Sequence, residues 1–365
     1  FNGLAEAVRY WGNWIKQQAE KELAEFYPKD PDGATPIAYL WARTITCEGP
    51  SCGAEVPLMR SLWLAKKGER SVALRIIPDA KARRVDFEII EKQKGKWVSQ
   101  ANPQAEIKAP QFDGTVRRGA GSCPICGYTT PVERVRVQLK ARHGGAHDAR
   151  MFCVVTTHPS VQGRFYRLPT ERDLEAVRKT TAELERRKAK HKGPLNLVPD
   201  EKISLNEIRR ICVPLYGMET WGQTFNNRQL LTLTTLTSAT NELCESLRKN
   251  NMYEGNGWIS AVQVCLALAI SRHADINAAL SLWHTTRELV THVFGRQAIG
   301  MVWDYAEPNT FGEASGAFSG GVEWIVRVIN HSLETPGHAE LASATNHPVP
   351  DDSANVLFTD PPYYD

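Results

Sequence analysis

Cys47-Glu48-Gly49-Pro50-Ser51-Cys52-Gly53 and its counterpart Cys123-Pro124-Ile125-Cys126-Gly127 decide how the middle of this chain folds. The first is a C-x4-C-G hairpin and the second a C-x2-C-G knuckle. Glycine after the second cysteine lets the backbone turn so that its N–H groups point at the thiolates. Two such pairs supply four sulfurs, the closed tetrahedral set of a structural zinc site. Cys47, Cys52, Cys123 and Cys126 are therefore the expected ligands of a Zn2+ that holds the fold and leaves no open position for catalysis. The 70 residues between Cys52 and Cys123 exceed ordinary zinc-finger spacing, and a β insertion between the two knuckles of a ribbon accommodates them. The competing reading is a redox pair, but Cys123-Pro124-Ile125-Cys126 opens no evident helix after a strand. His143 and His147 sit in a Gly-Gly loop and are expected to be exposed rather than metal-bound. Cys153, Cys212, Cys244 and Cys265 are scattered and read as buried free thiols.

Working outward, Leu4, Val8, Trp11, Ile15, Ala19 and Leu23 recur at helical steps and predict an amphipathic helix over Gly3 to Phe26. Short β-type runs follow at Ser71 to Ile77, Arg84 to Ile90, Val132 to Leu139 and Met151 to Thr156. Helices then dominate. Asp173 to Lys190 begins with Thr170 as N-cap and Asp173 at the capping-box position. Pro194 to Pro199 reads as a linker and Leu205 to Ile211 as a short helix. Asn227 to Leu247, the largely apolar Trp258 to Trp283, and Val322 to Leu333 complete the set.

The domain reading is a leading helical segment over 1–35, a β-rich zinc-ribbon insert over 36–160, a basic helix and linker over 161–200, a helical segment over 201–340, and a closing segment over 341–365. Hydrophobic residues make up 42% and charged residues 23% of the 365, enough to build sizeable cores. No apolar run is read as long enough to span a bilayer, so no membrane association is expected, and no signal peptide is visible. Net charge is only +3, but Pro131 to Lys192 holds 15 Lys/Arg against 7 Asp/Glu. Such a surplus suits either a phosphate-facing segment or a helix with a solvated basic face.

The closing element differs from the rest. Ala354-Asn355-Val356-Leu357-Phe358 is apolar along its length and leads into Thr359-Asp360-Pro361-Pro362-Tyr363. It predicts a buried strand of a parallel sheet, with the loop at its carboxyl end, where open α/β sheets bind ligands. An exocyclic amine on a base is a poor nucleophile, because its lone pair is delocalised into the ring. The Asp360 carboxylate and the Pro361 carbonyl can each accept one of its N–H groups and orient the lone pair. Pro362 removes a competing donor and restricts the loop. Tyr363 offers a flat face for a base turned out of the duplex. The alternative is a proline-rich turn with exposed tyrosines.

At this point the chain resembles the zinc-ribbon-containing adenine-specific DNA methylases. The resemblance runs through Pro36-Ile37-Ala38-Tyr39-Leu40-Trp41-Ala42-Arg43-Thr44, Gly163-Arg164-Phe165-Tyr166-Arg167-Leu168-Pro169, Leu215-Tyr216-Gly217-Met218, Met301-Val302-Trp303-Asp304-Tyr305-Ala306-Glu307 and Asp360-Pro361-Pro362-Tyr363. It implies an α+β excerpt: part of a Rossmann-like methyltransferase α/β domain carrying the ribbon insert and a largely helical segment. It also implies S-adenosylmethionine as cofactor, DNA as partner, a cytoplasmic location, and Asp360, Pro361, Pro362 and Tyr363 as catalytic residues for adenine N6. The cofactor loop is expected upstream of Phe1, since Gly312 to Gly321 is glycine-rich but follows no clear strand. Alone, the 365 residues are then expected to be inactive. The ribbon and Arg134 to Lys192 are the expected DNA contacts. The rival readings are a non-catalytic zinc-ribbon nucleic-acid binder, and the same chemistry on RNA or on cytosine N4.

Overall fold

The computed structural model describes residues 3–250, 256–295, 297–331, 337, 340–343, 345–346 and 348–360. Helix α1 (Leu4–Leu23) runs through a 3-10 turn (Ala24–Phe26) into strand β1 (Thr35–Ala42). Strands β2 (Thr44–Thr46), β3 (Glu55–Pro57), β4 (Trp63–Ala65), β5 (Val72–Asp79), β6 (Arg84–Gln93) and β7 (Lys96–Ser99) follow. Then come β8 (Val116–Arg117), β9 (Ala120–Ser122), β10 (Thr129–Thr130), helix α2 (Val132–Lys140), β11 (Arg150–His158), β12 (Val161–Arg167) and helix α3 (Glu171–Lys190). The rest comprises α4 (Asn227–Lys249), α5 (Asn256–Ile276), the hairpin β13 (Trp283–His284) and β14 (Leu289–Val290), β15 (Asp304–Pro308) and α6 (Phe318–His331).

The chain is a mixed α+β protein built in layers. Its central sheet is antiparallel, in the order β12-β11-β1-β15. Strand β1 is apolar on both faces because both are covered. Tyr39 and Trp41 point to a helical layer with residues of α1, α4, α5 and α6. Ala38, Leu40 and Ala42 alternate to the other side and meet Leu64, Leu74 and Ile89 of a second sheet. That second sheet runs β2-β3-β6-β5-β4, with β7 added on β6. In the helical layer α1 and α6 approach closely at Gly12, where a Cβ would lie 2.7 Å from Val322 Cγ1.

A buried ion pair joins the layers. Arg228 of α4 donates through Nε to Glu307 Oε1 of β15 at 2.6 Å, and both side chains are sealed from solvent. Trp41 Nε1 and Asn226 Nδ2 also donate to Glu307, each at 2.9 Å. The guanidinium lies 3.9 Å from the centre of the Tyr39 ring and donates to the Phe26 carbonyl. Every polar atom of the carboxylate is thus engaged, as a buried charge requires.

Several sequence expectations hold. Helix α1, strands β5, β6 and β11, and helices α4 and α6 fall where they are read, and the Thr170–Asp173 capping box forms. Others are corrected. Val132 to Leu139 is helix α2, not a strand: Val135 and Leu139, four apart, are buried, while Val137 stands exposed. Pro131 at its N-cap position and Glu133 in its first turn favour the helix. Leu205 to Ile211 forms only a 3-10 turn over Leu205–Glu207. Helix α5 ends at Ile276, and Trp283 belongs to a β-hairpin.

Helix α5 also corrects the membrane reading. Gly257–Ile276, with mean hydropathy 1.3, is long and apolar enough to cross a membrane by length and composition. In this fold it packs on α4 and α6, burying Ile259, Val262, Leu266 and Ala269 and leaving Val264 and Leu268 exposed.

The expected buried parallel strand at Ala354 to Phe358 is not formed. These residues form no regular element, with a bend at Asn355, and Phe358 is 93% exposed. A lone strand cannot satisfy its backbone without a ladder partner, and among the described residues none lies beside it. The sheets here are antiparallel apart from one β3–β6 contact at Glu55 and Arg84.

Two predictions follow from the buried polar groups. Arg228→Leu strands the Glu307 carboxylate and should lower unfolding free energy by about 3–5 kcal/mol in urea titration; an unchanged midpoint would refute the role given to the pair. His273 is buried beside Thr310, and burial lowers its pKa to about 4. The unfolded chain then binds a proton below about 6.5 that the folded chain refuses until about 4. Stability should fall by up to about 1.4 kcal/mol per pH unit across that window as the solution is acidified. His273→Gln should flatten the slope.

Candidate metal centre

The two cysteine pairs converge. Cys47 Sγ lies 3.5 Å from Cys126 Sγ, and Cys52 Sγ lies 3.8 Å from Cys123 Sγ. All four sulfurs lie within 4.8 Å of one another. Tetrahedral ligands at zinc–sulfur distances of about 2.3 Å stand about 3.8 Å apart, so the set could hold a structural zinc.

Local backbone geometry builds each knuckle. Cys47 N donates to the Ala54 carbonyl at 2.8 Å and Cys123 N to the Tyr128 carbonyl at 2.9 Å, closing the two turns. Gly53 and Gly127 carry φ of +60° and +75°, the left-handed region that glycine enters without strain. Gly49 is required for another reason: its N–H donates to Cys47 Sγ at 3.3 Å. A Cβ there would sit 2.8 Å from Tyr128 Cβ and 3.0 Å from Cys126 Sγ. Burial pushes the Cys47 thiol up to about 12, while the Tyr128 N–H helps bring Cys126 down to about 7. A metal would draw all four to thiolate.

The centre is fastened to the body of the protein. Cys47 and Cys123 share a small core with Ile45, Val56, Leu58 and Leu139. Arg43, fully buried just before β2, donates to the carbonyls of Gly144 and Val302 at 2.6 Å and of Ala279 at 3.1 Å. Among the described residues no carboxylate forms an ion pair with it; burial lowers its pKa to about 10, with Tyr305, Asp148 and Asp304 opposing, so it stays charged at neutral pH. His143 and His147 are exposed, as the sequence suggests. None of the eight cysteines forms a disulfide; Cys153 and Cys244 are buried, whereas Cys212 and Cys265 are only half-buried.

The basic stretch Arg134 to Lys192 is extensively neutralised. Arg134 pairs with Glu48 at 2.9 Å, Arg150 with Asp86 at 2.7 Å, and Arg167 with Asp30 at 2.6 Å. Arg186 pairs with Glu183 at 2.6 Å, Arg187 with Glu22 at 2.5 Å, and Lys188 with Glu185 at 2.8 Å. Several of these acids come from outside the stretch, so counting charge along it overstates its free positive charge.

Of the residues expected to be catalytic, Asp360 is exposed, and Pro361, Pro362 and Tyr363 lie outside the described residues. One expectation about the cofactor loop is corrected. The glycine-rich segment does follow a strand, since β15 ends at Pro308 and α6 begins at Phe318. Asp304 to Pro308 shows no clear strand pattern in sequence, because its polar ends hide a strand buried against β1. Yet Gly316, at φ +99°, serves close packing: a Cβ there would lie 2.7 Å from Pro308 Cβ. Its strand is also an antiparallel edge, not the parallel strand of a Rossmann cofactor site. The segment does not fit S-adenosylmethionine, and no described residue is assigned to that cofactor.

No family model, curated protein or solved structure matches this chain.

Metal analysis of the purified protein should find one zinc per chain. Cys123→Ser should lower that stoichiometry and the melting temperature together; full stability without metal would exclude a structural centre.

Proposed function

We propose that the full-length protein methylates adenine N6 in DNA, taking the methyl group from S-adenosylmethionine. The observation that carries this reading is the tetrad Asp360-Pro361-Pro362-Tyr363. Its residue types match the needs of amine methylation: the Asp360 carboxylate and Pro361 carbonyl accept the two N–H groups, Pro362 restricts the loop, and Tyr363 stacks on the extruded base. Such a transfer is a direct displacement, so no nucleophilic side chain is required. The resemblance to adenine-specific methylases supports the choice of adenine. It also supports a Rossmann-like catalytic domain in which Ala354 to Phe358 finds a sheet to join. The zinc-stapled module serves as scaffold.

A second reading is a nucleic-acid-binding protein without catalysis. It is favoured by the metal centre being assembled while Asp360 stands exposed.

Incubating the full-length protein with defined DNA and labelled S-adenosylmethionine separates the two. N6-methyladenine should appear in the digested product, and Asp360→Ala should reduce its formation at least a hundredfold while leaving DNA affinity within about twofold. Turnover that survives the substitution would overturn the assignment. N4-methylcytosine as product, or turnover on RNA alone, would move the same chemistry to the other substrate.

A further inference from the structure

Two cation-lined grooves meet at one arginine. The first, about 910 Å³, lies where α1, the start of β1, the β11–β12 turn and the β15–α6 loop come together. Lys16, Lys29, His158 and Arg164 line it, with the carboxylates of Glu20 and Glu313 also on its wall. The second, about 350 Å³, lies between the 3-10 turn Gly68–Arg70, strand β12 and the β13–β14 hairpin. Arg164 lines this one too, with Lys67, Arg70, Phe165 and Arg287. Strand β12 is an edge of the central sheet, so the ridge between the grooves is open to a ligand.

Most cations of the basic stretch are held in ion pairs, but Arg164, which belongs to it, is in none among the described residues. Lys67 is held by Glu288 at 3.7 Å. Among the described residues no ion pair engages Lys16, Lys29, Arg70, Arg164 or Arg287. Phe165 stands beside them with 41% of its surface exposed, a large aromatic between free cations on a sheet edge. Concave walls suit a strand rather than a flat membrane surface. Cations interleaved with an exposed ring match the needs of a phosphodiester chain carrying flat bases better than those of an acidic peptide.

We infer that the two grooves form one track for a single nucleic-acid strand, with phosphates on Lys16, Lys29, Arg164, Arg70 and Arg287 and a base stacked on Phe165. Naming DNA as the strand rests on the function proposed above; the track itself rests on the grooves.

The test is fluorescence anisotropy of a labelled single-stranded 20-mer titrated with the protein across a range of salt, with no methyl donor present. About five phosphate contacts give a slope of log K against log salt near −3.5. The triple variant Arg70→Gln, Arg164→Gln, Arg287→Gln should make that slope shallower by about 2. Phe165→Ala should weaken binding about tenfold and leave the slope unchanged. Neutralising Arg186, Arg187 and Lys188, which are already paired, should leave the slope as it was. An unaltered slope in the groove variant, or an equal loss in the paired-residue control, overturns the track. If methylation is seen while groove variants bind normally, the track fails and the enzyme stands. Binding that depends on the groove in a protein that never methylates leaves the track and removes the enzyme.

Discussion

A guanidinium has no accessible neutral form near pH 7, so a buried arginine dictates its surroundings. Arg228 does this at the centre of the molecule. Its bonds to Glu307, its contact with the Tyr39 ring and its donation to the Phe26 carbonyl bring together α4, β15, β1 and the end of α1. The Glu307 carboxylate is equally constrained, since Trp41 and Asn226 complete its acceptors. Pairing two ions in a dry interior offers little net stability over an apolar pair, but leaving either one alone is costly. The helical layer therefore has one position on the central sheet in which both ions are satisfied.

Arg43 extends the same logic to the metal module. It leaves β1 at the point where the chain enters the module, and its donors are met by three carbonyls from distant segments. Those bonds hold the loop after α2, the approach to β15 and the turn after α5 around one side chain. Local turns shape each cysteine pair, and the core shared by Cys47 and Cys123 brings the two pairs together.

The electrostatics show why charge read along a chain misleads. Arg134 to Lys192 is rich in arginine and lysine, yet folding brings Glu22, Asp30, Glu48 and Asp86 against it. Some of the cations that fold onto the two grooves come from separate parts of the sequence, from Lys16 to Arg287, and meet at Arg164. A binding surface is defined by what remains uncompensated after folding, and Coulomb interactions fall off with distance in space, not along the chain.

Residues that act through their immediate neighbours were legible in sequence. Cys47, Cys52, Cys123 and Cys126 with their glycines announced the metal centre, and Thr170 with Asp173 announced a helix start, because knuckles and caps are closed by bonds a few residues long. Val132 to Leu139 was misread because its alternation is ambiguous over eight residues; only burial of Val135 and Leu139 against the module's core selects the helix. Ala354 to Phe358 carries the composition of a buried strand, but composition supplies no ladder partner. Sequence by itself determined which four cysteines cluster, and most of the helices. Tertiary structure alone decided how the central sheet is ordered and which arginines are buried, because β1 pairs with β15 and Arg43 and Arg228 bond to groups that lie far from them along the chain.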